Sequence, residues 1–169
     1  MGFPNSTFDD VLAGNAQYAG AFDESGLAAR AAKGLAVVTC MDSRIDPLAM
    51  LGMDLGDVKV LRNAGARVTD DVLRTLVVAV HLLDVERILV VPHTNCKMAS
   101  GSEADVHRAL ADATGEDTRW MQLGATPDQL GALQLGIERI RAMPYIPSSV
   151  TVAGAMYDVN TGRLEPIDL

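Results

Sequence analysis

The sequence predicts one α/β domain with a mostly parallel central sheet of four to five strands flanked by helices. Short apolar runs rich in β-branched residues alternate with helical patterns along the chain. The 169 residues can bury a core without disulfides or structural metals, and no repeat, low-complexity tract or linker divides them. We therefore predict a single domain over residues 1–169, with a helical N-terminal arm over residues 1–34 and the core over residues 35–169.

Four apolar runs predict the strands of this sheet. They are Leu35–Thr39, Val58–Leu61, Arg87–Val91 and Ser149–Ala153. Near the C-terminus, the segment M-Y-D-V-N-T-G-R-L-E predicts a hairpin that turns at residues 160–162. Because the strands alternate with helices, we expect most of them to run parallel.

Three helix starts carry recognisable signals. Asp46 places a capping side chain before Pro47, a residue that suits the first position of a helix. Thr126 and Gln129 have the spacing of a capping box, which predicts Thr126 as the N-cap. The segment D-D-V-L-R-T-L-V-V-A-V-H-L-L-D, from residue 70, begins with two acidic residues that suit a helix N-terminus. It is apolar on most faces, so we expect it in the core or at a subunit contact.

Composition excludes several classes of partner. The formal net charge of -8 argues against a nucleic-acid partner, which would need a basic face, and against an anionic membrane surface. No apolar run reaches the length that spans a bilayer, and the N-terminus lacks the pattern of a secretory signal. With only two cysteines in the chain, these features predict a soluble cytoplasmic protein whose thiols stay reduced.

Both cysteines fall at predicted strand ends. Cys40 directly follows the first strand, and the segment P-H-T-N-C, residues 92–96, follows the third. Open α/β sheets bind their ligands beyond the carboxyl ends of the strands. His93 and Cys96 are close enough in sequence to share one ion, which Cys40 can reach from a neighbouring strand end. Two thiolates and an imidazole suit zinc, and three protein ligands leave a fourth position for water.

The fourth ligand position stays open at this level. His81 and His107 fall on helical patterns with no pairing that indicates a site, so Asp42 is the remaining candidate. The sequence allows three ligands plus water, or Asp42 as the fourth ligand with the water expelled. The two cysteines could also be inert core residues or a redox pair joined in a disulfide.

Cysteine phosphatases are a further class of protein with a cysteine in the site. Its phosphate-binding C-x5-R loop needs an arginine six positions after the cysteine. Those positions hold Asp46 and Ser102. The pattern therefore argues against this class.

Three separated motifs resemble those of the β-class carbonic anhydrases, and the short chain is similar to their compact prokaryotic branch. C-M-D-S-R at 40–44, R-N-A-G-A at 62–66 and H-T-N-C at 93–96 match the family's C-x-D-x-R, R-N-A-G and H-x-x-C motifs in order. The segment Y-D-V-N-T-G-R-L is similar to the family's final strand pair. The resemblance runs from about residue 35 to the end of the chain.

The resemblance implies a zinc-dependent lyase, a carbonate dehydratase that reversibly hydrates CO2 to bicarbonate. Cys40, His93 and Cys96 would bind one Zn2+ per chain, and zinc-activated hydroxide would attack CO2. Asp42 would orient that hydroxide, and Arg44 would hold the Asp42 carboxylate in a paired hydrogen bond. It also implies a homodimer or a higher homo-oligomer with sites at the subunit contact.

Several features leave the substrate open. Relatives with the same ligand set hydrolyse carbonyl sulfide or carbon disulfide, and a non-catalytic zinc or bicarbonate-sensing protein could share the fold.

Asp42 could be a zinc ligand at lower pH and be released to Arg44 at higher pH. The backbone at Gly65 could approach the substrate. Two positions depart from the family pattern, since Ala66 and Lys97 stand where glycine is usual.

Overall fold

A five-stranded mixed sheet forms the centre of the protein, as the sequence predicts. The computed structural model describes the backbone of residues 5–169 and the side chains from residue 7 onward. The strands lie in the order β2-β1-β3-β4-β5. Their bounds are β1 Leu35–Cys40, β2 Val58–Asn63, β3 Arg87–Val91, β4 Thr151–Tyr157 and β5 Leu164–Ile167. The first four are mutually parallel, and β5 pairs antiparallel with β4.

Within residues 5–169, five α-helices accompany the sheet. They are α1 Asn5–Gly20, α2 Pro47–Leu51, α3 Asp70–Leu82, α4 Glu103–Thr114 and α5 Gln129–Arg141, with a short 3-10 helix at Lys97–Ala99. The buried faces of α3 and α5 share one core cluster with side chains of β1 and β3. On the other face of the sheet, side chains of α2 pack against a smaller cluster. The α/β fold class is therefore confirmed.

The central strand β1 shows why the sheet forms here. All six of its residues, L-A-V-V-T-C, are buried, because β1 has a parallel neighbour on each side and a packed layer on each face. The C-terminal hairpin is also confirmed, with β4 and β5 joined by residues 158–163. In that loop Gly162 has a φ of 71°, which glycine adopts without strain.

Two predicted helix starts are confirmed, and the third is wrong. Asp46 caps α2 by accepting hydrogen bonds from two backbone N–H groups of its first turn. The two acidic residues, Asp70 and Asp71, open α3. Thr126 does not cap α5, whose N-cap is Asp128. The Thr126 hydroxyl instead accepts from the N–H of Asp128, so it forms a turn one step before the helix.

The apolar helix α3 and the N-terminal arm both leave hydrophobic side chains in solvent. On α3 one face is buried, but Val78 and Leu82 are exposed. The predicted arm over residues 1–34 contains α1, and its residues 21–34 form no helix. The first four residues of that arm lie outside the described part of the chain. Within residues 5–169, we find no helix that combines the length and apolarity needed to cross a bilayer.

Candidate metal centre

Cys40, His93 and Cys96 converge at one edge of the sheet. Cys40 is the last residue of β1, and the other two follow β3, which pairs in parallel with β1. Because parallel neighbours end at the same edge, the topology itself brings the three side chains together. One ligand atom from each residue lies within 4.8 Å of the others, and all three residues are buried. The two sulfur atoms are 4.0 Å apart, and both cysteines are free.

The imidazole of His93 has a buried nitrogen without a partner. Its Nδ1 lies 2.8 Å from the backbone oxygen of Thr94, and a carbonyl only accepts, so Nδ1 carries the hydrogen. The lone pair is then on Nε2, which is buried and has no hydrogen-bond partner among the described residues. Burial lowers the pKa of His93, which keeps the ring neutral. A neutral ring held through Nδ1, with Nε2 free beside two sulfurs, is the state in which histidine binds a metal.

Burial and the neighbouring Cys40 sulfur raise the pKa of the Cys96 thiol above its usual value, and a backbone N–H of Met98 and the charge of Arg67 offset this only in part. The backbone N–H of Gly65 donates to the Cys40 sulfur at 3.4 Å. A metal binds thiolates and removes the cost of burying two of them together. Two sulfurs and one imidazole in a buried cluster therefore fit zinc.

A carboxylate–guanidinium pair lies next to this cluster. Arg44 Nε donates to Asp42 Oδ1 at 2.8 Å and Nη2 donates to Oδ2 at 2.7 Å, which is a two-point fork. The backbone N–H of Arg44 adds a third bond to Oδ1. These hydrogen bonds hold the pKa of Asp42 far below its usual value. Asp42 Oδ2 also lies 3.8 Å from His93 Nε2, so the ionised carboxylate borders the ligand cluster.

Arg62 and Gln129 support the site, and sequence reasoning did not assign them a role. Arg62 donates from Nε to the backbone oxygen of Cys40 at 2.9 Å and from Nη2 to that of Asp42 at 2.7 Å. Gln129 donates from its amide to the backbone oxygen of His93 at 3.0 Å. Both therefore fix the backbone that carries the ligand side chains. The R-N-A-G motif singled out Arg62, but which carbonyls it reaches depends on the packing of β1 against β2.

The remaining candidate residues take different places. Gly65 is buried with a φ of 82°, and its N–H is directed at Cys40. Lys97 is exposed. His81 bonds the backbone oxygen of Tyr145, and His107 bonds the hydroxyl of Thr118, so each has a partner away from the cluster.

Known proteins similar to this chain are carbonic anhydrases and carbon disulfide hydrolases. The sequence model of the family described as "Carbonic anhydrase" matches residues 35–164. "Beta-carbonic anhydrase 1" of Mycobacterium tuberculosis is 36% identical over 159 residues, which cover 94% of this chain and 96% of that protein. A "Carbon disulfide hydrolase" of Acidithiobacillus thiooxidans is 32% identical over 152 residues, or 77% of this chain and 75% of that protein.

The fold has a close match among solved structures. The crystal structure of a carbonic anhydrase from Streptococcus mutans aligns with a TM-score of 0.91 at 33% identity and covers 99% of this chain and 100% of that one. The match of the family's sequence model over residues 35–164 and the similarity to relatives along nearly the whole chain agree with this result. The chain thus belongs to the β-carbonic anhydrase family, whose carbonic anhydrases are zinc-dependent lyases of the carbonate dehydratase type.

Proposed function

We propose that this protein catalyses the reversible hydration of CO2 to bicarbonate with one zinc ion per chain. The observation that supports this most directly is the free Nε2 of His93, buried beside two thiols and bordered by an ionised carboxylate. Cys40, His93 and Cys96 would hold the metal. When bound, zinc supplies the Lewis acidity that lowers the pKa of a coordinated water and so provides a nucleophile at neutral pH.

Asp42 and Arg44 supply the orientation that this chemistry needs. An ionised carboxylate only accepts hydrogen bonds, so Asp42 can hold the reacting water by one proton and turn its lone pair toward CO2. Arg44 keeps Asp42 ionised and fixes both of its oxygen atoms. With both oxygens held by Arg44, the site favours three protein ligands and an open fourth position over Asp42 as a ligand.

The test is CO2 hydration by stopped flow on protein of measured zinc content. Asp42→Asn should lower kcat by about 100-fold, because an amide can donate where the carboxylate only accepts and misorients the water. Its zinc content should equal that of the wild type. Asp46→Asn is the matched control, since asparagine also caps a helix well, and it should keep full activity. Equal kcat for Asp42→Asn and the wild type would remove the role proposed for Asp42.

Hydrolysis of carbon disulfide or carbonyl sulfide is the alternative activity. It is supported by the similarity to the carbon disulfide hydrolase of Acidithiobacillus thiooxidans. The same ligand atoms would serve, so only pocket access separates the substrates. Assays with CO2, carbonyl sulfide and carbon disulfide on one preparation decide between them. A zinc-bound protein that is inactive on all three would instead indicate a zinc or bicarbonate sensor.

We also propose that the protein is a homodimer or a higher homo-oligomer. Helix α1 is exposed along its described side chains, and Val11 and Tyr18 place apolar surface on one side of it. The ring of Phe22, just after the helix, lies 5.5 Å from that of Tyr18 and extends this surface. Most of the stability of a helix in a protein comes from tertiary packing of its apolar side, so a second copy is the expected cover. Cys40 and Cys96 must stay reduced to bind a metal, which supports a cytoplasmic location.

A further inference from the structure

A cavity of about 1020 Å3 opens beside the metal centre, between the end of β2, helices α3 and α5, and residues 122–126. Its wall includes residues 62–64, which lead directly to Gly65, the glycine that donates to the Cys40 sulfur. Three arginines line this cavity, namely Arg62, Arg67 and Arg139. Each guanidinium in this wall has N–H donors that need hydrogen-bond acceptors.

Two of the three arginines are already engaged by the protein. Arg62 holds the backbone oxygens of residues 40 and 42, as described above. Arg139 donates to the backbone oxygen of Val68 and to Asp70. Arg67 differs, because only its Nε has a partner, the backbone oxygen of Gly124 at 2.8 Å. Its two terminal nitrogens make no hydrogen bond or ion pair with any residue that the structure describes.

The acidic residues of the cavity wall do not neutralise Arg67. Asp70 pairs with Arg139, and Asp71 pairs with Arg74. Glu103 lies close enough to act on Arg67 electrostatically, but its two oxygens accept the backbone N–H groups of residues 123 and 125. Arg67 is half-buried, and burial lowers its pKa, yet an arginine stays charged in proteins. A half-buried cation with free N–H donors favours an anion in front of it.

The backbone is shaped around this side chain. A Cβ at Gly124 would lie 3.2 Å from Cγ of Arg67, and one at Gly65 would lie 3.2 Å from its Nε. Both glycines have a positive φ, and they leave the space that Arg67 occupies. The side chain of Asn63 bonds both the N–H and the C=O of Arg67, at 2.8 and 2.7 Å. The backbone of Arg67 and its Nε are therefore both held, which preorganises the guanidinium.

We propose that Arg67 forms an oxyanion subsite in this cavity and that it takes bicarbonate there. The identity of the anion rests on the proposed function, because bicarbonate would be formed on the other side of Gly65. The planar guanidinium edge matches two oxygens of a planar oxyanion, a geometry that the ammonium of lysine does not offer.

The direct test follows the Nε–Hε NMR resonance of Arg67 in the zinc-loaded protein as bicarbonate is added. Saturable displacement of that resonance, absent with chloride at the same ionic strength, is the expected result. The variant Arg67→Gln assigns the resonance. No saturable displacement up to roughly 100 mM bicarbonate would overturn the proposal, since a Kd weaker than that is no useful site.

A kinetic readout comes from bicarbonate as a product inhibitor of CO2 hydration. Arg67→Gln should weaken that inhibition by about tenfold, and Arg67→Lys should restore only part of it, as expected for one lost charge-assisted bond. Arg108→Gln is the matched control, because Arg108 is exposed and lies outside this cavity, and its inhibition constant should not change. Unchanged inhibition in Arg67→Gln would contradict the anion subsite but would not bear on the proposed function, CO2 hydration. A wild type that binds bicarbonate at Arg67 but hydrates no CO2 would instead remove the proposed function.

Discussion

Each of three side chains at the metal centre is oriented by a hydrogen bond to a nearby residue. His93 is oriented through Nδ1, the Cys40 sulfur accepts from Gly65, and Asp42 is held by Arg44. The candidate ligand residues could be predicted because a cysteine or histidine at a strand end is visible in the sequence, and the family motif implied the Asp42–Arg44 pair. The contacts that orient His93 and Cys40 could not be predicted, because a turn after β3 and the loop after β2 supply them. The role proposed for Arg67 could not be predicted either, because it depends on the cavity and on the contact with Gly124.

Ala66 tests how the loop after β2 tolerates a side chain. It has a φ of 56°, a region in which an L-residue with a Cβ is strained by about 1–2 kcal/mol. Ala66→Gly removes that strain but also removes a buried methyl group, so we expect a nearly unchanged free energy of unfolding. Ala64→Gly, at a position without a positive φ, should lose about 1 kcal/mol. Urea unfolding of both variants measures the difference, and equal losses would contradict a strained Ala66.

At the scale of elements, helix starts were predictable where one capping side chain stood alone. Asp46 before Pro47 has no competitor, and it caps α2. Before α5 two capping residues compete, and Asp128 caps because its side chain accepts from Gly131 of the first turn. Sequence spacing favoured Thr126 and Gln129, but spacing does not say which residue enters the helix first. The strands were all predicted, but the ends of β4 were not, since Ser149–Ala153 was expected and Thr151–Tyr157 forms. The central strand β1 was the clearest, because burial on two faces produces a continuous apolar run.

Glu103 ties α4 to the segment that carries Gly124, and its pH dependence has a definite sign. Burial raises the pKa of Glu103, but the N–H donors of Leu123 and Ala125 outweigh it and lower the pKa below its usual 4.5. A lowered pKa means that the stabilisation is present above the ordinary value and is lost as pH falls through the folded value. Glu103→Gln should therefore speed amide hydrogen exchange at Leu123 and Ala125 near neutral pH.

The same variant should lose its effect in acid. Below the folded pKa of Glu103, the wild-type side chain is a neutral acid, and its exchange rates should approach those of Glu103→Gln. The exposed Glu116 provides the control, since Glu116→Gln should leave the amides of the 123–125 segment unchanged at any pH. A difference between wild type and Glu103→Gln that grows toward low pH would have the wrong sign for this account.

At the scale of the whole molecule, the α/β class and the parallel sheet followed from the alternation of strands and helices. The strand order did not, because it depends on which crossover packs best, and local patterns do not carry that information. The exposed apolar residues of α1 and α3 had the same limit. Their sequence reads as buried surface, and within a single chain they remain in solvent. Subunit contact, which the apolar pattern of α3 had suggested, would account for both.

Light scattering after size exclusion tests the role of α1. We expect a species of at least twice the mass of one 169-residue chain. Replacing Val11 and Tyr18 together by aspartate should shift it toward the monomer, because two charges on the apolar side of α1 oppose burial. Gln17→Asp adds a charge on the same exposed helix and should leave the mass unchanged. A monomeric wild type would rule out this use of α1.

The most direct measurement is CO2 hydration by the purified protein before and after its metal is removed by a chelator, with zinc counted at each step. We expect activity to fall with the zinc content and to return on adding one zinc per chain. Cys96→Ser should bind zinc poorly and stay inactive in the same experiment, because it removes one of three ligands. A stoichiometric zinc protein that does not hydrate CO2, or hydration that persists without zinc, would contradict the proposed function.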